Sequence, residues 1–265
     1  MFQRDSHFLS LIVPAFRQEK TIVKNIKQLL NVLDTIRYDY ELIIVIDGKV
    51  DESLKILKKA KLGKTTIVSY KQNRGKAFAI RMGMNRAKGD YVMFIDSGLE
   101  IDPNGISMLL EHMEWYDADV IVGSKRHPAS HVNYTWQRKI LSYGYYYFVR
   151  LFFGLNVRDT QAGIKIFKKS VLEKILHRLV EKRFAGDLEM LVVARQVGSR
   201  RIFEAPIKLN YEFSTLTSAA TYRSIFFIIV DTLAIFYRAH IIRYYRGTHH
   251  RLVEPKDIRI YRLTK

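Results

Sequence analysis

The sequence has no cysteine, which excludes a disulfide framework and any thiolate metal site. Proline (5) and glycine (14) are too scarce among 265 residues for a collagen-like or low-complexity chain. Long apolar runs are missing as well. Residues 1–7 are polar and the first apolar run, 8–13, is too short for a signal-peptide core, so secretion is not expected. The most apolar stretch, 224–237, is interrupted by Asp231 well before the ~20 residues that a spanning helix needs. Acidic residues are few, 26 against 44 basic, for a net charge of +18. The imbalance is uneven, with a net +2 over residues 1–123 and +16 over 124–265. Such a cationic half suits a phosphorylated substrate, an anionic membrane surface or nucleic acid. No nucleic-acid motif accompanies the charge, so nucleic acid is not expected as a partner.

With 48% hydrophobic residues, the chain has enough apolar mass for one large core or two small ones. Short apolar runs at 9–13, 41–46, 66–70, 91–95 and 120–122 alternate with amphipathic stretches, in which Ile22, Ile26, Leu29, Leu30 and Leu33 share one helical face. The first run is expected to stop at Pro14. Continuous apolar strands separated by helices predict an α/β fold, with a mostly parallel sheet flanked by helices. In such sheets ligands bind beyond the carboxyl ends of the strands, where Glu19, Asp47 and Asp96 are expected to converge.

The segments that end these strands carry a resemblance. Val13-Pro14-Ala15-Phe16-Arg17-Gln18-Glu19 resembles V-P-A-Y-N-E-E, and Asp47-Gly48-Lys49-Val50-Asp51-Glu52-Ser53 resembles D-G-S-x-D-x-[ST]. Asn73-Arg74-Gly75-Lys76 resembles the N-x-G-K turn, and Ala87-Lys88-Gly89-Asp90 followed by Phe94-Ile95-Asp96 resembles the approach to a D-x-D motif. Their order and spacing are similar to the family 2 glycosyltransferases of the GT-A fold. Three further blocks, Gly123 to Pro128, Arg158 to Lys165 and Arg183 to Glu189, resemble the dolichyl-phosphate or polyprenyl-phosphate hexose synthases. The form Asp159-Thr160-Gln161-Ala162-Gly163 looks more like the glucosyl branch than the mannosyl one.

The resemblance implies a GT-A catalytic domain over residues 1–215. A basic, aromatic, membrane-associating extension with amphipathic helices would follow over 216–265. It implies transfer of a hexose, glucose from UDP-glucose, to dolichyl or polyprenyl phosphate with inversion. GDP-mannose as donor, or an impaired nucleotide-sugar-binding protein, are the alternatives. Donor binding falls to Pro14, Ala15, Glu19, Asp47, Asn73, Gly75, Lys76, Asp96 and Ser97. An acceptor phosphate is mostly dianionic at neutral pH and needs cations more than a base. Arg126, Arg138, Arg158 and Lys165, with Gln161, are the candidates to receive it.

The catalytic set is Asp96, Asp187, Arg126 and Arg138; Asp187 and Glu189, two residues apart, leave a helix on different faces, so at most one meets the acceptor, and the resemblance selects Asp187. Mg²⁺ or Mn²⁺ is the implied cofactor, on Asp96. Gly98 stands where the family has its second Asp, leaving Glu100 as the nearest replacement, and Gly186 stands where a bulky Phe is usual. Residues 140–153, and 222–246 with Arg223, Arg238, Arg243 and Arg246, interleave aromatic and basic side chains as interfacial helices do. A peripheral position on the cytoplasmic side of an anionic membrane is expected, with a homo-oligomer left open. His249 and His250 are read as a tail without metal.

Overall fold

The computed structural model describes residues 7–130, 136–210, 222–247 and 253–263, and for 136–142 and 222–226 the helical backbone alone. In chain order the elements are β1 (Phe8–Ala15), α1 (Ile22–Leu33), β2 (Asp39–Ile46), α2 (Ser53–Lys59), β3 (Thr65–Ser69), α3 (Lys76–Met84), β4 (Tyr91–Ile95) and α4 (Gly105–Trp115). They continue as β5 (Val120–Ser124), α5 (Trp136–Phe153), β6 (Ile164–Lys168), α6 (Lys169–Ile175), α7 (Gly186–Gln196), β7 (Ile202–Pro206), α8 (Tyr222–Phe236) and β8 (Arg259–Leu263).

The eight strands form one sheet in the order β7-β5-β6-β4-β1-β2-β3-β8. Only β6 and β8 run antiparallel to their neighbours. Alternate side chains on each central strand go to opposite faces. Ile43 and Val45 of β2 join one core with Ile12, Val68 and Phe94, whereas Leu42, Ile44 and Ile46 join the other with Leu11 and Ile67. Helices α1, α2 and α4 cover the second core, and α3, α5, α6, α7 and α8 cover the first.

Two expectations change. β1 runs through Pro14 to Ala15, because β4 borders it only over Leu9–Ile12 and a missing N–H at Pro14 faces no neighbour on that side. Leu30 is half-buried on the α1 face whose Ile22, Ile26, Leu29 and Leu33 are buried. The segment after residue 215 is built into the same body rather than appended to it. Ile235, Ala239 and Tyr245 enter the first core, and β8 extends the sheet beside β3.

Helices α5 and α8 pack side by side. Tyr145 and Thr232 share a hydrogen bond of 3.2 Å, and Phe152 meets the Phe236 ring edge-on at 5.1 Å. Among the described residues no helix is long and apolar enough to cross a membrane.

Candidate active site

The carboxyl ends of β1, β2 and β4 bring the loop motifs together. Asp47, at the end of β2, is buried and accepts four hydrogen bonds. Tyr70 Oη (2.8 Å) and the Arg74 amide (2.7 Å) donate to its Oδ1, and Asn73 Nδ2 and the Gly75 amide (both 2.9 Å) donate to its Oδ2. Both oxygens are therefore used to shape the Asn73-Arg74-Gly75-Lys76 turn. Burial, then the Asp47 charge, pushes the Tyr70 phenol up, so it stays a donor. The first motif loop is tied to the second: the Gln18 amide donates to Ser53 Oγ, the Glu19 amide to Asp51, and the Glu52 amide to Glu19 Oε2. Pro14 and Ala15 are buried at the base of this wall, and the carbonyl of buried Ser97 accepts from Asn25 Nδ2 at 2.8 Å.

At the centre lies a chain of alternating charges. Lys76, the first residue of α3, reaches Asp96 at the end of β4 (2.8 Å to Oδ1, 3.0 Å to Oδ2) and Asp187 in the first turn of α7 (3.3 Å). Asp187 in turn lies 3.6 Å from the Lys165 ammonium, and its Oδ1 accepts no hydrogen bond. Lys165 is fully buried on β6, directly across from Phe94, and both ammonium groups stand over the Phe94 ring at 5.2 and 5.8 Å.

Burial pulls the Lys76 amine down, but Asp187 and Asp96 together raise it above its ordinary value, so it is a fixed cation. Burial dominates at Lys165 and lowers it against the opposing pull of Asp187. Asp96 alone of the four is substantially open, with 42% of its side chain exposed.

Two glycines make this packing possible. A Cβ on Gly163 would sit 2.2 Å from Asp96 Oδ2, and one on Gly186 would sit 2.2 Å from Ala77 Cβ. Gly186 thus lets α7 close on α3 and bring Asp187 to Lys76, where a bulky Phe would hold them apart.

Arg126 and Arg158 line a neighbouring wall, the Arg126 guanidinium donating to the Arg158 carbonyl at 2.8 Å. The Arg158 and Asp159 amides donate to Glu204, and Asp159 accepts from the Lys125 amide, which fixes the segment carrying Gln161. Arg138 falls in α5, but its side chain lies outside the described residues, as do Arg223, His249 and His250. Lys165 does not join the Arg wall. Its complete burial behind Phe94 corrects the expectation that it meets an acceptor phosphate directly. Glu189 lies on a different face of α7 from Asp187 and accepts from the Val180 and Glu181 amides and from Tyr245 Oη at 2.7 Å.

The side chains do not form a divalent-ion site by themselves. Among the described residues no three potential ligands cluster, Gly98 brings no side-chain oxygen, and both Asp96 oxygens already face the Lys76 ammonium. An ion on Asp96 would take most of its shell from the substrate. Glu100 is exposed, and Asp102 caps its own turn by accepting from Asn104.

Sequence reasoning missed the Asp96–Lys76–Asp187–Lys165 connection and the Glu189–Tyr245 pair. The readable signal for the first is a lysine at an inward position of the strand Ile164-Lys165-Ile166-Phe167.

A mostly parallel sheet with its polar residues gathered at one end, and one reversed strand inside it, is the GT-A arrangement. Residues 10–176 match the Glycosyl transferase family 2 profile, and the chain belongs to that family. It is 31% identical over 205 residues to the dolichyl-phosphate beta-glucosyltransferase of Drosophila melanogaster, covering 71% of this chain and 63% of that protein. It is 28% identical over 219 residues to a UDP-N-acetylglucosamine–dolichyl-phosphate N-acetylglucosaminyltransferase of Methanococcus voltae, covering 76% and 85%. The chain thus spans just under two thirds of the length of the fly protein. Glucosyl-3-phosphoglycerate synthase from Mycobacterium tuberculosis, solved with uridine diphosphate, superposes with a TM-score of 0.63 at 16% identity over 88% of this chain and 79% of that one. The same enzyme has also been solved with Mn²⁺ and UDP-glucose.

Proposed function

We propose that the protein transfers glucose from UDP-glucose to dolichyl or another polyprenyl phosphate, at the cytoplasmic face of a membrane, by single displacement with inversion. The observation that carries this reading is the charge chain centred on Lys76. Its ammonium lies against Asp96, the most exposed of the four groups, where a departing pyrophosphate needs a cation as the bond to the sugar breaks. Asp187 holds that ammonium from below, and Lys165 compensates Asp187. The loop from Pro14 to Glu19 borders the place for the base, with Asp47, Asn73 and Gly75 shaping its far wall. Arg126, Arg158 and Gln161 receive the acceptor phosphate, whose oxygen attacks the sugar carbon opposite the leaving group. Arg138 belongs with them by its place in the motif order.

Relatives acting on dolichyl phosphate at 31% and 28% identity support the acceptor class, and the glucosyl relatives support glucose. Exposed Tyr147 and Leu151 on α5, with Ile229 and Leu233 on α8, support peripheral contact with an anionic bilayer, given the +16 of residues 124–265. Incubating the protein with labelled UDP-glucose, UDP-N-acetylglucosamine and GDP-mannose, each with short polyprenyl phosphates, tests donor and acceptor together. Label from UDP-glucose should enter the lipid fraction; transfer from GDP-mannose alone would replace the donor, and no transfer at all would leave a nucleotide-sugar-binding protein.

Mg²⁺ or Mn²⁺ enters this reading as an ion shared between Asp96 and the donor. Gly98→Asp adds its carboxylate into open space, since nothing lies within 4 Å of a Cβ there. It is expected to tighten Mn²⁺ binding in the presence of UDP by about tenfold, and undiminished transfer by the wild type under a chelator would remove the ion.

A further inference from the structure

At the other end of α7 from Asp187 a second concave site opens, with a volume of about 390 Å³. Arg195 and Gln196, from the last turn of α7, form one wall. His240, Arg243 and Arg246, which follow α8, form the other. No carboxylate lines it, and among the described residues none of these three arginines takes part in a salt bridge. Three arginines lining one cleft place like charges on it, and an anion held between them would offset their repulsion.

The backbone is shaped to hold them. A π-helical turn at Tyr237–Ile241, closed by the Ile242 amide on the Tyr237 carbonyl at 3.1 Å, precedes Arg243, whose φ of 52° is unusual for a side chain with a Cβ. The His240 ring is braced on Phe236 at 4.9 Å. On the facing side Gly154, with φ of 63°, leaves room for the Arg195 guanidinium, because a Cβ there would lie 3.3 Å from its Nε.

We infer that this cleft binds the phosphate headgroup of an anionic membrane lipid. Guanidinium forks match phosphate oxygens bidentately, which fits three arginines on one small cavity. The choice of a lipid over free phosphate rests on the rim. Ile241 and Ile242, next to Arg243 in the chain, are aliphatic and exposed at 60% and 48%, so a phosphate seated here would have its acyl chains against apolar side chains. The site is separate from the sugar-transfer cluster by the length of α7, so it anchors the protein without occupying the acceptor wall. It rests on the peripheral membrane contact proposed above and gives that contact a specific phosphate receptor.

Flotation with phosphatidylcholine vesicles, with and without phosphatidate, tests it by comparing wild type with Arg195→Gln/Arg243→Gln/Arg246→Gln and with a charge-matched control, Lys24→Gln/Lys27→Gln/Lys59→Gln, on the opposite layer. The cleft variant should lose binding to phosphatidate vesicles roughly fivefold per arginine removed, the control much less, since each basic group at a surface is worth about that factor. Arg243→Gln/Arg246→Gln, which leaves α7 unchanged, should show an intermediate loss. Equal losses for cleft and control would overturn the inference while leaving diffuse membrane attraction intact.

Calorimetry with soluble dihexanoyl phosphatidate and with inorganic phosphate separates the sources. Binding of the short lipid that the cleft variant loses supports the site even if no vesicle binds, in which case only the membrane contact falls. Inorganic phosphate binding as tightly as the short lipid, and displacing the protein from vesicles, would make it a free-anion site. Transfer to a short soluble acceptor should be unchanged in the cleft variant.

Discussion

The two helical layers of this sheet differ in what they bury. Helices α1, α2 and α4 bury aliphatic side chains and a few small polar ones, and no charged residue among them is buried. The opposite layer buries Arg81, Asp187 and Glu189 on its helices and Lys165 on the strand beneath. Taking each such ion out of water costs several kcal/mol unless a partner and hydrogen bonds offset it. The contrast teaches that one layer is scaffold, where volume and apolarity suffice, and the other holds charges in fixed relation at the expense of stability.

The sharpest way to break this contrast is to remove a charge at the centre. Asp96→Ala or Lys76→Ala is expected to lower transfer by about a hundred- to a thousandfold, the scale of losing a preorganised electrostatic contact, whereas Lys27→Ala on the scaffold layer stays within about twofold. Steady-state kinetics reads this directly. Asp187→Ala should reduce turnover more than donor affinity, because Asp96 is the exposed carboxylate of the two and Asp187 the buried one; loss of UDP binding on calorimetry in Asp187→Ala but not in Asp96→Ala would reverse the two roles.

Stability comes next in size. Asp187→Asn leaves the Lys165 ammonium buried without its counter-charge and should cost about 3 to 5 kcal/mol in urea unfolding. Adding Lys165→Met should recover much of that loss, a coupling that a double-mutant cycle measures. On the scaffold layer Ile26→Ala is expected to cost about 2 to 5 kcal/mol through its cavity, while kcat/KM of the folded enzyme stays the same.

The smallest effect is a pH dependence. Burial raises the Glu189 carboxyl above its ordinary 4.5, against the pull of Tyr245 and the Glu181 amide. From 4.5 up to the raised folded value, the unfolded chain gives up the proton that the folded protein keeps. The unfolded state then binds fewer protons, so stability falls as pH rises through this window and is level below it. Glu189→Gln should lack that slope, and unfolding midpoints of both proteins across the window test it.

Much of the scaffold was legible in the sequence because a strand buried on both faces reads as an unbroken apolar run, as 41–46 and 91–95 do. Asp47 and Asp96 were legible as strand ends for the same reason. Three strands escaped. β6 hides Lys165 at an inward position, β7 leaves Phe203 exposed, and β8 reads Arg-Ile-Tyr-Arg-Leu, as a half-exposed edge does. The charge chain escaped because it joins residues 76, 96, 165 and 187, whose proximity depends on sheet order and on the missing side chains of Gly163 and Gly186, not on local pattern. The sequence makes Asp47 a candidate to meet the donor's base, whereas its oxygens are spent on the turn it shapes rather than left open toward a ligand.

The pairing of β8 with β3 also sets a clock. Ile67 and Tyr261 are register partners, yet at ribosomal speeds of roughly 5 to 20 residues per second the second strand emerges about 10 to 40 s after the first. Throughout that interval the β3 edge is an open template for a neighbouring nascent chain. The strand that finally closes it carries Arg259 and Arg262, so the finished border repels other copies of itself. The yield of folded protein should therefore depend on how crowded its own synthesis is.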